Sequence, residues 1–417
     1  MSEPRLHPIP LWLTEDYVQK KLRAFLKNDS LKLEKLDIKP AIAKGENYNS
    51  VMTRINVEYT TKESKEKLET NFLVKTTFAD KDPAAHVLTK YGIYTREMDM
   101  YQRILPKMAD VVKTEIGDPR RIFAGTVNVD KERDSIIFED LLLENYKVAC
   151  RLKKLDLEHT HMVLEKLASF HAAGAVLAER ERGIFRENYD RGFYNKYTRG
   201  YEPVMKGLLK ALSRSLNLDE ELRRRYQAKI DRVVDHVMIY GERSTTNNPG
   251  DFVTLTHGDL WTTNVMFQYD GKGHPTNAIF IDFQFSVWNS PAIDLHYFFS
   301  TSIHDELRLH NQPELVQFYY YKLKDALKKV RYAGPIPSLF DFQLQFRARA
   351  FYAVFASLMF EPFMLYDGKE EASLEQMISE GESGIRFKDD LYRQEGARKK
   401  LHHTLPYLEQ WGLLDDM

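Results

Sequence analysis

In the first third of the chain, apolar residues recur in short runs that are rich in β-branched and aromatic side chains, a pattern typical of β-strands. The runs lie at Leu33–Ala43, Ser50–Thr60, Thr70–Thr77, Ile122–Asn128 and Ser135–Glu139. Glycine, asparagine and charged stretches separate them. The first three runs predict a meander of neighbouring strands.

Two helices are predicted among these strands. Thr14 is the predicted N-cap of a short helix that extends to about Lys27, because two acidic residues follow it directly. A second helix is predicted from one apolar face at helical spacing, formed by Tyr94, Met98, Tyr101 and Leu105. Pro106 follows this face and is expected to end the helix.

From about Leu141 onward, the spacing of apolar residues becomes helical, apart from one β-rich island at Leu255–Ser286. The predicted helices are Asp156–Ala178 with Asp156 as its cap, Asp219–Tyr240 with Gly241 at its end, a helix opened by Pro313, Phe340–Met364, and a helix from Glu371 onward. The chain is therefore β-rich first and helical second. This order predicts an α+β fold with residues 1–140 and 141–417 as its two parts.

Composition narrows the classes of function. The 417 residues carry 60 Lys and Arg against 61 Asp and Glu, so no global charge favours nucleic acid or a membrane surface as a partner. No apolar run reaches the roughly 18 residues that a membrane-spanning helix needs. Cys150 is the single cysteine, which excludes a disulfide within the chain and favours a cytoplasmic or nuclear protein, of which we expect the cytoplasmic one.

The β-rich island contains the strongest candidate chemistry, the sequence HGDLWTTN at residues 257–264. Asp259 and Asn264 precede a predicted strand at 265–269, and a second strand at 278–281 leads into Asp282. Phosphoryl transfer needs one carboxylate that orients the attacking hydroxyl and accepts its proton. It also needs oxygens that hold Mg²⁺ against a triphosphate, here an amide and a second carboxylate. The alternative is a polar turn that lies beside a hairpin by coincidence.

The N-terminal strands supply candidates for the rest of a nucleotide site. Lys75 lies among apolar residues in the third strand and is a candidate for contacting the phosphates of ATP. Glu97 lies on the following helix, from where it could pair with Lys75. Taken alone, a lysine or a glutamate in such a place is more often a solvated flank of its element.

Two further segments are candidates for contacts with ATP. The turn at residues 45–50 would cover the phosphates, with Asn47 and Ser50 as polar contacts, or it is an ordinary hairpin turn. The strand that ends at Glu139 leads through Leu141 into the helical part. A hinge at this place would present backbone groups to adenine.

Three segments carry a resemblance to a known family: KGENYNS at 44–50, HGDLWTTNVMF at 257–267 and IFIDFQFSVWNSPAIDLHYF at 279–298. With them, the chain resembles the ecdysteroid kinase-like family, also called CHK kinase-like, within the aminoglycoside phosphotransferase and choline kinase group. The resemblance extends over about residues 40–415. It implies a protein kinase-like fold with two lobes.

The resemblance also implies a role for each candidate residue. It matches the catalytic base to Asp259, the Mg²⁺ ligands to Asn264 and Asp282, and the ion pair of the nucleotide lobe to Lys75 and Glu97. Two further residues would support the catalytic loop without reacting, namely His257 and Asp294.

The chain departs from protein kinases in the segment after Asp282. Gln284 stands where protein kinases have a glycine, and only eight residues separate Asp282 from Pro291. This leaves no room for a long activation segment that binds a peptide, so no protein substrate is expected.

The sequence therefore predicts an ATP- and Mg²⁺-dependent kinase that phosphorylates a hydroxyl group of a small, apolar molecule. Family resemblance implies an ecdysteroid or a hydroxylated xenobiotic as the acceptor. Two alternatives stay open: a choline- or aminoglycoside-type kinase for a cationic acceptor, and a catalytically silent nucleotide-binding protein. Trp261 either walls the acceptor pocket or belongs to the core, and His171 is expected to be a buried, hydrogen-bonded residue.

Overall fold

The computed structural model describes residues 9–41, 50–64, 66–77, 83–368 and 373–416. Its N-terminal part contains five antiparallel strands: β1 (Lys32–Pro40), β2 (Val51–Thr60), β3 (Leu68–Thr76), β4 (Thr126–Asp130) and β5 (Ser135–Glu139). They pair in the order β1-β2-β3-β5-β4. The predicted meander of the first three strands is confirmed.

The two faces of this sheet pack against different helices. Ile55 of β2 and Val74 of β3 lie in a small apolar cluster with Val18 and Leu22 of α1 (Glu15–Leu26). Thr14 caps α1 as predicted, because its side chain accepts a hydrogen bond from the backbone N–H of the first turn. Successive strand residues point to opposite faces, so the residue after Val74 points away from α1.

The helix on the other face is longer than predicted. After α2 (Pro83–Lys90), four helical segments follow without a break and together form α3: Ile93–Asp99, Met100–Ile104, Leu105–Val111 and Val112–Ile116. The prediction that Pro106 ends the helix is wrong. A π-helical turn precedes Pro106 and shifts the hydrogen-bond register, so the proline stands at the start of a new α-helical segment, where its missing N–H is tolerated. The helix ends instead at Gly117, which has a left-handed φ of 83°.

The C-terminal part is mainly helical, as predicted. Its helices are α4 (Leu157–Arg180), α5 (Glu202–Ser215), α6 (Glu220–Thr245), α7 (Ala292–Thr301), α8 (Asp305–His310), α9 (Gln312–Lys329), α10 (Leu339–Ala348), α11 (residues 351–364), α12 (Leu374–Ile378), α13 (Glu382–Arg393) and α14 (Glu395–Gln410). Asp156 caps α4 as predicted, and Asp219 caps α6. The single helix predicted at Phe340–Met364 is interrupted before α11, and α5 was not predicted.

Gly241 does not end α6, contrary to the prediction. The helix continues to Thr245, and a Cβ atom added at Gly241 would lie 2.2 Å from ring atoms of Tyr194. This glycine therefore allows a close approach of the Tyr194 ring to the helix and has no role as a cap.

Short strands form the predicted β-rich island. They are β7 (Thr254–Thr256), β8 (Val265–Tyr269), β9 (Pro275–Phe280) and β10 (Val287–Asn289), and β6 (Lys147–Val148) precedes the island in the chain. β7 pairs with β10, and β6, β8 and β9 form a second small sheet. The strand predicted near residues 122–128 starts only at Thr126, because Ile122 pairs instead with Phe280 at the end of β9.

The largest apolar cluster contains residues from both parts of the chain. Tyr101, Leu105 and Phe138 come from the N-terminal part, and Phe170 and Phe283 come from the C-terminal part. The α+β class with a β-sheet N-terminal region and a helical C-terminal part is thus confirmed. In the described ranges, no helix is long and apolar enough to cross a membrane.

Candidate active site

The loop between β7 and β8 carries Asp259 and is built around one glycine. Gly258 has a left-handed φ of 82°, and a Cβ atom at this position would lie 1.9 Å from the carbonyl oxygen of Phe285. Only glycine fits this backbone approach. The loop is therefore pressed against the segment that follows Asp282.

Asp294 holds this loop from the first turn of α7. Its fully buried carboxylate accepts hydrogen bonds from the backbone N–H of His257 at 2.7 Å and of Gly258 at 2.8 Å. His171, on α4, contacts the same carboxylate at 3.0 Å and Tyr319 at 2.6 Å. His171 is therefore a buried, hydrogen-bonded residue, as the sequence suggested.

Asp259 and Asn264 lie side by side in the loop. The Nδ2 atom of Asn264 donates to the backbone oxygen of Asp259 at 2.8 Å and to its Oδ2 atom at 3.3 Å. These bonds use the nitrogen of the amide and fix its orientation. The Oδ1 atom of Asn264 is then the atom of this side chain that suits a metal ion.

Lys75 connects the N-terminal sheet to the carboxylate that follows β9. Its Nζ atom lies 2.7 Å from Glu97 Oε1 and 3.1 Å from Asp282 Oδ1. Burial alone would lower the pKa of Lys75, but the charges of Asp282 and Glu97 outweigh it and raise the pKa above its ordinary value. Lys75 is therefore a cation shared by two carboxylates.

Burial raises the pKa of the Asp259 carboxyl to about 7. The nearby Tyr297 hydroxyl and Asn264 amide oppose this rise, whereas the charges of Asp282 and Asp294 add to it. Although Tyr297 is close to Asp259, its hydroxyl is not in hydrogen-bonding geometry with any group that the structure describes. A carboxylate with this pKa is suited to accept a proton near neutral pH.

A row of aromatic rings joins the loop to the sheet. The ring of His257 lies 4.8 Å from Phe283, which lies 5.7 Å from Tyr101, and Tyr101 lies 4.8 Å from Phe138 of β5. The Nε2 atom of His257 contacts the backbone oxygen of Ile281 at 3.0 Å, and burial lowers the pKa of the ring. These contacts are consistent with a structural role for His257 in the loop that carries Asp259.

Besides Lys75 and Glu97, the sequence predicts contacts with ATP at Asn47, Ser50, Glu139 and Leu141. Ser50 is buried and lines a small cavity together with Lys75 and Glu97, while Asn47 lies outside the described residues. The side chain of Glu139 pairs with Arg121, and its backbone N–H donates to Gly125 at 3.1 Å. Leu141 is buried in the large cluster.

Two residues of the site had no predicted role. Arg96, beside Glu97 on α3, is fully buried and donates to the backbone oxygens of Tyr91 and Gln284, each at 2.7 Å, and of Asn188. Gln284 donates from Nε2 to Glu97 Oε2 at 3.2 Å. No sequence signal could have found Arg96, because its partners are backbone carbonyls that the fold brings together.

Buried aromatic side chains form a cluster near Asp259, whose charge acts on Tyr201 and Tyr297. Phe193 and Phe285 stack with ring centroids 4.2 Å apart, and Tyr201 lies 5.5 Å from Phe193. Trp261 and Tyr297 are buried in the same cluster. Trp261 is therefore a buried core residue, and its role as a wall of the acceptor pocket stays a prediction.

The donor atoms at the site fit Mg²⁺. Asp282 and Asn264 offer a carboxylate and an amide oxygen, and Mg²⁺ commonly takes one or two protein oxygens while phosphates and water complete its shell. Within the described part of the chain, no group of three or more His, Cys, Asp and Glu residues could hold a metal ion. Asp282 has a left-handed φ of 65°, a conformation that aspartate tolerates better than most residues.

Comparisons with known proteins identify relatives. The sequence model described as "Ecdysteroid kinase-like family" matches residues 44–332. No curated protein sequence matches the chain significantly. Among solved structures, an ethanolamine kinase from Plasmodium vivax is similar, with 10% identity and a TM-score of 0.36, over 80% of this chain and 88% of that one.

Proposed function

This chain belongs to the ecdysteroid kinase-like family, and on that premise we propose that it transfers a phosphoryl group from ATP, with Mg²⁺, to a hydroxyl group of a small, apolar molecule. One observation carries the proposal: Lys75 of the sheet reaches both Glu97 and Asp282, so the nucleotide-binding candidates and the metal-binding candidates meet in one place. Residues 1–140 would form the nucleotide lobe and residues 141–417 the acceptor lobe.

Each group in the proposal has one task. Asp259 orients the acceptor hydroxyl and takes its proton, and Lys75 donates to a phosphate oxygen while Glu97 holds it in place. Asn264 and Asp282 hold Mg²⁺, which when bound neutralises charge on the phosphates. Ser50 would lie near the phosphates, and the backbone around Glu139 and Leu141 would face adenine.

The acceptor class is the finer part of the proposal. The aromatic cluster of Phe193, Phe285 and Tyr201, in which Tyr201 is near enough to Asp259 for its charge to act on the ring hydroxyl, supports an acceptor with a large apolar face, such as an ecdysteroid or a hydroxylated xenobiotic. The same rings could enclose a quaternary ammonium group, which is the cationic alternative.

The test is a screen of purified protein with ATP and Mg²⁺ against hydroxylated compounds, read by mass spectrometry as an added phosphate. The set should contain sterols, phenolic xenobiotics, choline, ethanolamine and an aminoglycoside. Phosphorylated sterols or phenols would support the proposal, whereas phosphorylated choline or aminoglycoside alone would favour a cationic acceptor. ATP binding without any phosphorylated product would favour a silent nucleotide-binding protein.

Replacing Lys75 by methionine should lower kcat/KM for ATP by about 100-fold, because a desolvated charge contact is lost. Lys166→Met is the matched control, since Lys166 is also buried and bonds to Asp118 at 2.9 Å, away from the candidate site. Steady-state kinetics at varied ATP should separate the two variants. Equal losses in both would argue against a nucleotide contact at Lys75.

The pH dependence of turnover follows from the pKa of Asp259. Because a general base must be ionised, kcat/KM should fall about tenfold per pH unit below about pH 7 and level off above it. The profile should be measured from about pH 5.5 to 9 with an acceptor that does not titrate, and circular dichroism should show that the protein stays folded. A flat profile would contradict the assignment of Asp259 as base.

A further inference from the structure

Arg96 is a buried cation that is held by carbonyl oxygens alone. Its guanidinium donates to Tyr91 before α3, to Gln284 after Asp282, and to Asn188 in the connection after α4. Within the residues that the structure describes, Arg96 forms no ion pair. Burial lowers the pKa of this group to about 10, so the carbonyl contacts must offset a real desolvation cost.

The main chain that Arg96 holds is the segment that positions the metal-binding candidate. Asp282 adopts a left-handed φ of 65°, which costs about 1 kcal/mol or more for a residue with a side chain and persists only when its surroundings fix it. Gln284, two residues later, gives its backbone oxygen to Arg96 and its amide to Glu97. The segment is therefore bound at two points to α3.

We propose that Arg96 and Gln284 are positioning residues that lock Asp282 and Glu97 in the arrangement needed for phosphoryl transfer before any nucleotide binds, an inference that rests on the proposed function. Arg96 fixes the backbone after Asp282. Gln284 holds the second oxygen of Glu97, whose first oxygen holds Lys75. The positions of both carboxylates that contact Lys75 thus depend on Arg96 and Gln284, which bond to each other.

The identity of residue 284 adds a second restraint on this segment. Protein kinases have a glycine at this position, and a glycine leaves the backbone free to rotate. Here a glutamine stands there, and its amide is tied to α3 by Glu97. This contact restrains the segment in a way that a glycine, which has no side chain, could not.

An arginine suits this lock better than a lysine. The guanidinium offers five donors in a rigid plane, so it can serve three carbonyls in different directions, whereas an ammonium is a compact point charge. Arg96→Lys keeps the charge and most of the volume but should lose at least one of the three contacts. Arg308→Lys is the matched control, because Arg308 is also buried but bonds to Thr404 in the C-terminal part.

The first readout is hydrogen exchange of the ligand-free protein. Arg96→Lys should speed exchange at residues 283–286 and around Asn188 by about tenfold or more, since roughly one hydrogen bond to a charged donor is lost. Arg308→Lys should leave both segments unchanged. Unchanged exchange in Arg96→Lys would overturn the inference.

The second readout separates positioning from general destabilisation. Arg96→Lys should weaken binding of Mg·ADP in calorimetry and raise KM for ATP together with a lower kcat, all corrected for the folded fraction. Gln284→Leu should act in the same direction, against Gln312→Leu as control, because Gln312 is buried and bonds to Tyr407 elsewhere. If Arg96→Lys does not fold, the comparison of Gln284→Leu with Gln312→Leu tests the inference alone.

The outcomes distinguish this inference from the proposed function. If the wild type transfers phosphate and both Arg96→Lys and Gln284→Leu do so equally well, the positioning role is refuted while the proposed function stands. If the wild type transfers no phosphate, the proposed function is refuted. Faster hydrogen exchange at residues 283–286 in the variants would then still show that Arg96 and Gln284 hold the segment.

Discussion

The Asp259→Asn variant is expected to lose turnover by about 10²–10⁴-fold, the range that a positioned general base contributes. The amide has nearly the same shape as the carboxylate, so contacts with Asn264 and the loop remain while the proton acceptor is lost. KM for ATP should change little, because nucleotide contacts lie on Lys75 and the metal-binding residues. Steady-state kinetics at saturating acceptor measure the loss directly.

The same variant should be more stable than the wild type at neutral and alkaline pH. Folding raises the pKa of Asp259 from its ordinary 3.8 to about 7, so its ionisation favours the unfolded state. This penalty is absent well below pH 4, develops between about pH 4 and 7, and is complete above that range. Removing the buried charge should therefore stabilise the protein by about 2–4 kcal/mol at pH 8.

Urea unfolding at pH 5 and pH 8 would test this trade between activity and stability. The gain in free energy of unfolding should be smaller at pH 5 than at pH 8. An Asp259→Asn variant with wild-type turnover would refute the base assignment, and one that is inactive but destabilised at pH 8 would show that Asp259 is mainly structural.

Replacing Asp294 by alanine is expected to have the largest effect on stability, a loss of about 3–5 kcal/mol in the free energy of unfolding. The variant would leave the backbone N–H groups of His257 and Gly258 buried without their acceptor, and His171 would lose one of its two partners. The loop that carries Asp259 would then lose its attachment to α7. Turnover should fall even in the fraction that remains folded.

A matched control separates these two consequences. Asp130 is also a buried carboxylate, and it accepts a hydrogen bond from Tyr17 at 2.8 Å on the outer side of the sheet. Asp130→Ala should lower stability without lowering turnover per folded molecule. Denaturant unfolding and activity at low temperature measure both quantities, and normal turnover in folded Asp294→Ala would show that the loop does not need this carboxylate.

Local chemistry made much of the fold predictable. The helix caps at Thr14 and Asp156, and the bounds of β8, depend on neighbouring residues and were predicted correctly. Pro106 and Gly241 were misread as helix ends because their setting is not local. A π-helical turn accommodates the proline, and the Tyr194 ring, which requires the glycine, comes from a different segment.

The candidate site was predictable where side chains meet side chains at short sequence spacing or in a known motif. Asp259 and Asn264 lie in one loop, so their proximity could be expected. Arg96 could not be found in this way, because its three acceptors are backbone atoms up to 188 residues away. The bond from Gln284 to Glu97 likewise depends on how α3 packs against a distant segment.

The large apolar cluster that joins the two parts also limits how the chain can be divided. Tyr101, Leu105 and Phe138 cover the same buried surface as Phe170 and Phe283. A fragment cut near residue 140 would leave this surface open to water on both pieces, and exposed apolar surface of this kind promotes aggregation. The five-stranded N-terminal sheet is thus not an independent domain, and the protein must be expressed, crystallised or redesigned with both parts in one chain.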